Sequence, residues 1–185
     1  MLPFGFRSYA SREFNELAAG HQMAIETNAE LLGRVPIFKG LSAAQLTTIA
    51  ASCDDRIFEE GAPILKGGEI GHAAYLILSG YVAPEASVDD QSAMDVLGYG
   101  TLLGELAMLV ETCFTFTVTA RWRVRALVVE RARLYALMEA DPSIAFHFAE
   151  KLCHRLNSLA RDLRWMDAHF QALEQSLEHS IGQAG

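Results

Sequence analysis

The sequence predicts an α+β fold, in which an antiparallel β-sandwich or jelly-roll barrel is flanked by N-terminal helices and a long C-terminal helix. Glycines separate short apolar runs between residues 54 and 130, which is typical of small sandwiches and barrels. Helix-forming residues dominate the chain before this region. After Pro142, apolar residues repeat over four heptads without a helix breaker.

The N-terminal part favours helices. Residues 1–10 show no clear period and are expected to form a loose lead. Residues 11–53 are expected to hold two helices, with Gly20 as a break in the first. Ser42 followed by Gln45 is the pattern of a capping box, so the second helix is predicted to start there.

Residues 54–130 are predicted to be a β-roll. Five short apolar runs are expected as strands: Arg56–Phe58, Pro63–Leu65, Ala74–Leu78, Tyr81–Val82 and Met94–Leu97. The clearest strand is predicted from Phe114 to Arg125, where side chains alternate between apolar and polar throughout. Residues 126–129 are all apolar, which predicts a strand that is buried on both faces.

The C-terminal region is predicted to be helical in two parts. Residues 131–141 read as a short helix, and Asp141 followed by Pro142 starts a long one over residues 142–181. About 40 residues at 1.5 Å each give a rod of about 60 Å, which a β-roll of this size cannot cover. We therefore expect a homodimeric coiled coil, with a helix folded onto its own domain as the alternative. Its predicted core positions are Leu152, Leu156, Leu159, Leu163, Met166, Phe170, Leu173 and Leu177.

Composition excludes several function classes. A formal charge of −8 argues against nucleic acid as a direct partner. Three scattered cysteines, without a membrane-spanning run or a secretion signal, indicate a cytoplasmic protein that makes no membrane contact. We find no catalytic motif, so an enzyme is not expected. The histidines lack metal-ligand spacing, and no metal or cofactor is expected, although a haem bound by His72 or Cys53 stays open as an alternative.

One segment carries recognisable binding chemistry. Gly104-Glu105-Leu106-Ala107 reads as a tight turn that opens a short helix inside the β-roll. Backbone N–H groups at a helix start can hold an anion, and a carboxylate can accept hydrogen bonds from hydroxyl groups. On the polar face of the predicted Phe114–Arg125 strand, Arg121, Arg123 and Arg125 form a stripe. That stripe is either a solvated surface or a surface for an acidic partner.

The order of motifs resembles the cyclic nucleotide-binding domain family over roughly residues 31–160. The matching pieces are Val35–Ser42, Gly68-Glu69, Tyr75–Gly80, Gly104–Leu109 and Thr117–Ala120. The resemblance implies a phosphate-binding cassette at residues 103–120. The first helix and the long last helix resemble the Crp/Fnr branch of the family, in which the last helix makes the dimer. The chain ends at Gly185, so we expect no helix-turn-helix domain.

The resemblance implies a role for individual residues of the cassette. Gly104 and Ala107 match positions where the backbone approaches the ligand closely, and Glu105 matches the carboxylate that binds the ribose. Leu106 lies between them and is also a candidate site residue. Phe114 stands where the family has the arginine that binds the phosphate. Thr115 stands where the family has alanine or serine, and its hydroxyl could donate to a phosphate. We expect the Phe114 ring to fill part of the pocket.

These observations predict a non-enzymatic regulatory or sensor module, homodimeric and without a DNA-binding domain, whose phosphate site is degenerate. One alternative is a true receptor for cyclic AMP or cyclic GMP that uses helix N–H groups, Glu105 and Thr115. Another is a purely structural interaction protein. The sequence names no protein partner beyond a second copy of the chain.

Overall fold

The structure, a computed structural model, describes residues 6–85 and 96–182, with side chains described for residues 19–85 and 96–171 apart from residue 168. It divides into two units, Met1–Ala145 and Phe146–Gly185. Within the described residues, no helix is long and apolar enough to cross a bilayer.

The first unit begins with helix α1, Phe6–Arg34, a short 3-10 helix at Pro36–Phe38, and helix α2, Ala43–Ser52. The predicted capping box is present. The Gln45 amide donates to Ser42 Oγ at 3.3 Å, and the Ser42 amide donates to Gln45 Oε1 at 3.0 Å. These bonds satisfy two donors that the helix itself cannot pair.

Two expectations about α1 are wrong. Residues 6–10 lie within the helix rather than in a loose lead, and Gly20 does not interrupt it. A glycine in a helix interior costs only about 1 kcal/mol relative to alanine. The helix formers on either side of Gly20 can offset that cost, so a single glycine is weak evidence for a break.

The β-roll consists of antiparallel strands in two sheets and one short ribbon. The strands are β1 Asp54–Phe58, β2 Pro63–Leu65, β3 Ile70–Gly71, β4 Ala73–Ser79, β5 Val82–Pro84, β6 Leu102–Leu103, β7 Thr112–Cys113, β8 Val118–Ala120 and β9 Val124–Glu130. One sheet has the order β1-β9-β4-β6, another β2-β8-β5, and β3 pairs with β7. The described strands therefore form a sandwich rather than a closed barrel. Of the predicted strand Met94–Leu97, the first two residues lie outside the described residues, and Leu97 bridges to Val82.

The long strand predicted from Phe114 to Arg125 is wrong. Residues 114–117 are not in a strand, β8 is short, and a further break at residues 121–123 precedes β9. β8 pairs with β2 and β5, whereas β9 pairs with β1 and β4. The chain thus leaves one sheet and enters the other. Of the residues predicted to lie on the buried face of that strand, Val118, Ala120 and Val124 are buried, whereas Phe116 and Trp122 are exposed.

The sandwich core lies between the two sheets. The residues that make it up are Ile64, Leu65, Ile77, Val82, Leu103, Val118, Ala120, Val124 and Ala126, with Phe58, Tyr75, Leu97 and Phe114 packed against them. Ala126 to Val129 are all buried, as the apolar run predicts, so β9 is covered on both faces.

Helix α3, Arg131–Ala140, ends one residue before the end of the predicted range 131–141, and it is held to the start of β1. The Arg133 guanidinium binds both carboxylate oxygens of Asp54 at 2.8 and 2.7 Å and donates to the Ser52 carbonyl at 2.9 Å. Hydrogen bonding to Asp54 raises the pKa of Arg133 above its usual range. A bidentate pair of this kind fixes orientation as well as distance.

Helix α4, Pro142–Gly182, begins at the predicted Asp141 cap. The Ser143 amide donates to Asp141 Oδ1 at 3.0 Å. Hydrogen bonds from the Ser143 hydroxyl and the Gln45 amide lower the pKa of Asp141 below its ordinary value of 3.8.

The second unit contains most of α4. The predicted core positions that are strongly exposed in this single chain are Leu156, Leu159, Leu163, Met166 and Phe170. Leu152 is half-buried. The side chains of Leu173 and Leu177 lie outside the described residues.

Candidate functional site

The binding motif of the sequence forms a tight turn, which we call the cradle turn and define as Gly104–Leu109. Gly104 has φ 67° and ψ 32°, the left-handed region that side chains other than hydrogen disfavour. A 3-10 helix follows at Glu105–Met108, and the Ala107 amide donates to the Gly104 carbonyl at 2.9 Å. Glycine is therefore required at the point where the chain enters the helix.

The Phe114 ring lies against this turn. A Cβ atom built on Gly104 would lie 2.9 Å from Phe114 Cε1, and one built on Gly71 would lie 2.6 Å from Phe114 Cζ. Ala107 closes the same space, because its Cβ would be 2.5 Å from a Cβ at Gly71. The ring thus lies against Gly71 and Gly104, where a residue with a Cβ atom would clash with it.

Backbone hydrogen bonds fix the position of Phe114. Its amide donates to the Glu69 carbonyl at 3.0 Å, and its carbonyl accepts from the Gly68 amide at 2.8 Å. The Gly67 amide donates to Thr117 Oγ1 at 3.0 Å in the same loop. These bonds link residues 114–117 to the loop before β3, which is why this stretch is not a strand.

The other predicted site residues occupy different depths. Glu105 is half-buried, and its Oε1 atom is shielded from solvent. Leu106 is 37% exposed, whereas Ala107 is 1% exposed. Thr115 is exposed. The structure therefore brings Gly104, Ala107 and Phe114 together.

An arginine that the sequence analysis missed holds the opposite end of the cradle turn. Arg131 Nη1 donates to the carbonyls of Val110, Ala107 and Gly71 at 2.8, 3.2 and 3.1 Å. Nearby, the Tyr135 hydroxyl donates to the Leu109 carbonyl at 2.5 Å. A cation in the first turn of a helix is unfavourable for that helix, so the position of Arg131 at the start of α3 was an available signal that it binds elsewhere.

The residues considered as haem ligands have other roles. Cys53 Sγ donates to the Ile49 carbonyl at 3.2 Å, and burial raises the pKa of this thiol from 9.0 to about 12. The thiolate that would bind a metal is therefore disfavoured. His72 Nδ1 lies 3.2 Å from Arg131 Nη2. Among the described residues, no group of three or more potential ligands could hold a metal ion.

The arginine stripe is partly paired with carboxylates of β1 and its end. Arg125 Nε donates to Asp55 Oδ1 at 2.8 Å, and Arg123 Nε lies 3.3 Å from Glu59 Oε1. The hydrogen bond to Asp55 raises the pKa of Arg125 above its usual range. Both pairs are exposed, and exposed ion pairs contribute little to stability.

Comparison with known proteins identifies the domain. Residues 55–141 match the family model described as the cyclic nucleotide-binding domain. This part of the chain belongs to that family. The match covers the β-roll and α3, including the cradle turn and Phe114, and it confirms the resemblance found in the sequence.

Relatives of this cyclic nucleotide-binding domain include a channel and a receptor protein. The chain is 31% identical to a cyclic nucleotide-gated potassium channel of Rhizobium etli over 64% of its own length and 32% of the channel. It is 28% identical to the cyclic AMP receptor protein of Thermus thermophilus over 69% of its length and 60% of that protein. The chain thus spans less than two thirds of either relative.

A solved structure supports the same fold. The N-terminal domain of a transcriptional regulator from Streptomyces coelicolor superposes with a TM-score of 0.65 and 25% identity. The alignment covers 72% of this chain and 94% of that domain. This chain and that domain are therefore similar both in sequence and in their fold, a β-roll with flanking helices.

Proposed function

We propose that this chain is a non-enzymatic regulatory module whose cyclic nucleotide-binding domain has a closed phosphate position. The observation that carries the proposal is the Phe114 ring between Gly71 and Gly104. By the family pattern, this residue stands at the phosphate-binding arginine. The ring lies so close to Gly71 and Gly104 that a Cβ atom at either glycine would clash with it, and it supplies neither charge nor a hydrogen-bond donor.

The energetics favour loss of cyclic nucleotide binding. A charge-assisted hydrogen bond contributes roughly 1.5–3 kcal/mol, which corresponds to about ten- to a hundredfold in affinity. Removing water from the phosphate without giving it a new hydrogen-bond partner makes the free energy of binding still less favourable. Glu105 and the hydroxyl of Thr115 do not replace a cation, and Thr115 is exposed.

Isothermal titration calorimetry with cyclic AMP and cyclic GMP tests the closed site. We expect no heat of binding at micromolar nucleotide. Micromolar or tighter binding that is lost in Glu105→Ala would contradict the proposal. It would instead establish a true receptor for cyclic nucleotides, which is one of the alternatives that the sequence leaves open. The conservative Glu105→Gln variant serves as the folding control, because it keeps the shape of the side chain.

We also propose that the module is a homodimer through α4. Support comes from the exposed apolar stripe, in which Leu163 is 64% and Phe170 60% exposed in the single chain. Such residues recur at heptad spacing along a helix of 41 residues. Heptad repeats of this kind pair with a second helix.

Analytical ultracentrifugation of Leu163→Asp tests the dimer. A buried charge in the seam should shift the protein to monomer at micromolar concentration, because an unpaired buried charge costs several kcal/mol. Arg164→Asp, on the neighbouring exposed position, is the matched control and should stay dimeric. A wild-type monomer at high micromolar concentration would contradict the proposal.

A further inference from the structure

A second concave site lies in the same unit, apart from Phe114 and Glu105. A cavity of about 660 Å³ opens beside the first turn of α3, and its walls include Arg56, His72, Tyr75, Val128, Arg131 and Tyr135. Tyr75 pairs with Val128 across β4 and β9 and packs against the sandwich core. The volume falls within the range of about 300–1,000 Å³ that is usual for small-molecule sites.

The cavity wall carries positive charge. Arg131 is held by neutral carbonyl groups, which position its charge without neutralising it. Arg56 also lines the cavity. Among the described residues, no carboxylate lies within 4.0 Å of either guanidinium. In a chain with a net charge of −8, two arginines without an acidic partner at one cavity are a local exception.

The one carboxylate in the wall is occupied. Glu130 Oε2 lies 3.2 Å from Arg133 Nε, and Arg133 in turn binds Asp54. Glu130 is therefore paired with Arg133 rather than with Arg56 or Arg131. The net charge of the cavity wall remains positive.

His72 adds a neutral donor. Arg131 Nη2 lies 3.2 Å from His72 Nδ1, and a guanidinium can only donate. His72 Nδ1 is thus the acceptor, so the proton of the neutral ring is on Nε2. The cavity combines two cations, an imidazole N–H and an aromatic surface from Tyr75 and Tyr135.

We propose that this cavity binds a small organic anion, in which a carboxylate or phosphate group is attached to an aromatic or apolar body. The anionic oxygens bind Arg56 and Arg131, and the apolar body packs on the rings of Tyr75 and Tyr135. Because Arg131 also holds the carbonyls of Ala107 and Val110, an occupant of the cavity contacts the residue that fixes the cradle turn. The site does not depend on whether the Phe114 position binds a nucleotide.

NMR titration of the ¹⁵N-labelled full chain tests the proposal with phenyl phosphate and benzoate as probes. We expect saturable shifts of the amides of His72–Tyr75 and Val128–Ala132. Benzamide, which is neutral, and inorganic phosphate, which lacks the apolar body, should both bind at least about tenfold more weakly. Equal binding of benzamide or of inorganic phosphate would overturn the assigned ligand class.

The Arg56→Gln variant tests the charge. It should weaken phenyl phosphate binding about tenfold, whereas Arg123→Gln, which removes an exposed arginine outside the cavity, should leave it unchanged. Equal affinities in the two variants, or shifts that map elsewhere in the wild type, would overturn the site. If Arg56→Gln does not fold, the difference in affinity between benzoate and neutral benzamide at the same wild-type amides decides whether charge is required, and equal affinities would overturn the site.

Discussion

The two ends of the cradle turn contact side chains of different kinds, an apolar ring at its start and a cation at its end. At its start, Gly104 lies against the apolar ring of Phe114. At its end, the carbonyl of Ala107 and that of Val110, the residue after the turn, accept hydrogen bonds from the Arg131 guanidinium. The helix dipole favours a cation at the carbonyl end and an anion at the N–H end. The carbonyl end therefore has its electrostatic partner within the chain, while an uncharged group fills the space at the other end.

This difference teaches that the frame of a binding site and its ligand chemistry can be separated. Gly104, Ala107 and the capping by Arg131 preserve the shape of the turn without a ligand. On the function proposed above, Phe114 changes what the turn binds and leaves its shape intact. A family match can therefore remain clear when the residue expected to hold the phosphate is gone.

Phe114→Arg should produce the largest effect, because it restores a cation at the uncharged end. We expect affinity for cyclic AMP to rise about ten- to a hundredfold over the wild type. Calorimetry measures the change. Phe116→Arg is the matched control, since Phe116 is 52% exposed two residues away, and it should change nothing. No gain for Phe114→Arg would mean that more than the arginine has been lost.

Phe114→Ala should destabilise the fold by about 2 kcal/mol, below the usual cost for a fully buried phenylalanine because this ring is half-buried. Phe116→Ala should cost less than about 0.5 kcal/mol. Urea unfolding followed by circular dichroism compares the two variants. Equal costs would show that the Phe114 ring is not held by the glycines around it.

Arg131→Gln removes the partner of the carbonyl end. We expect a loss of about 1.5 kcal/mol in the free energy of unfolding, since three carbonyls lose a charged donor. Arg121→Gln, at an exposed position of the arginine stripe, is the control and should stay within about 0.5 kcal/mol of the wild type. If both variants behave alike, the capping by Arg131 does not stabilise the turn.

Alkylation of the three cysteines compares the exposed Cys113, which precedes Phe114, with the less exposed Cys53. Cys113 precedes Phe114 and is exposed, as is Cys153, whereas Cys53 is half-buried. Because burial raises the pKa of Cys53 from 9.0 to about 12, its thiol stays protonated at pH 8 and should react much more slowly with iodoacetamide. The stability that the protonated thiol contributes is fully present below pH 9 and is lost as the pH rises toward 12. Peptide mass spectrometry of the labelled native protein distinguishes the three sites.

The sequence predicted the helices well where a cap marks their ends. Ser42 and Asp141 start α2 and α4 at the expected residues, because a side chain that accepts from helix N–H groups is a local signal. The long strand through residues 114–125 failed for the opposite reason. The alternation of apolar and polar residues indicates which way each side chain faces, but it does not indicate which strand is the partner. The change from one sheet to the other at residues 121–123 therefore could not be predicted from the local sequence.

The candidate site was predicted only in part. Phe114 and Gly104 could be placed together because the family pattern fixes their spacing. Arg131 could not, since its contacts with Gly71 and Val110 arise from long-range packing. The cavity at Arg56 and Arg131 likewise joins residues 75 positions apart, and no motif links them.

The crossing at residues 121–123 also has a consequence for folding. A single stretch of chain supplies the central strand of β2-β8-β5 and an inner strand of β1-β9-β4-β6 within a few residues. Neither layer can detach from this stretch without pulling on the other. Both layers should therefore open as one cooperative unit, and slow amide exchange in β8 and β9 should disappear at the same denaturant concentration.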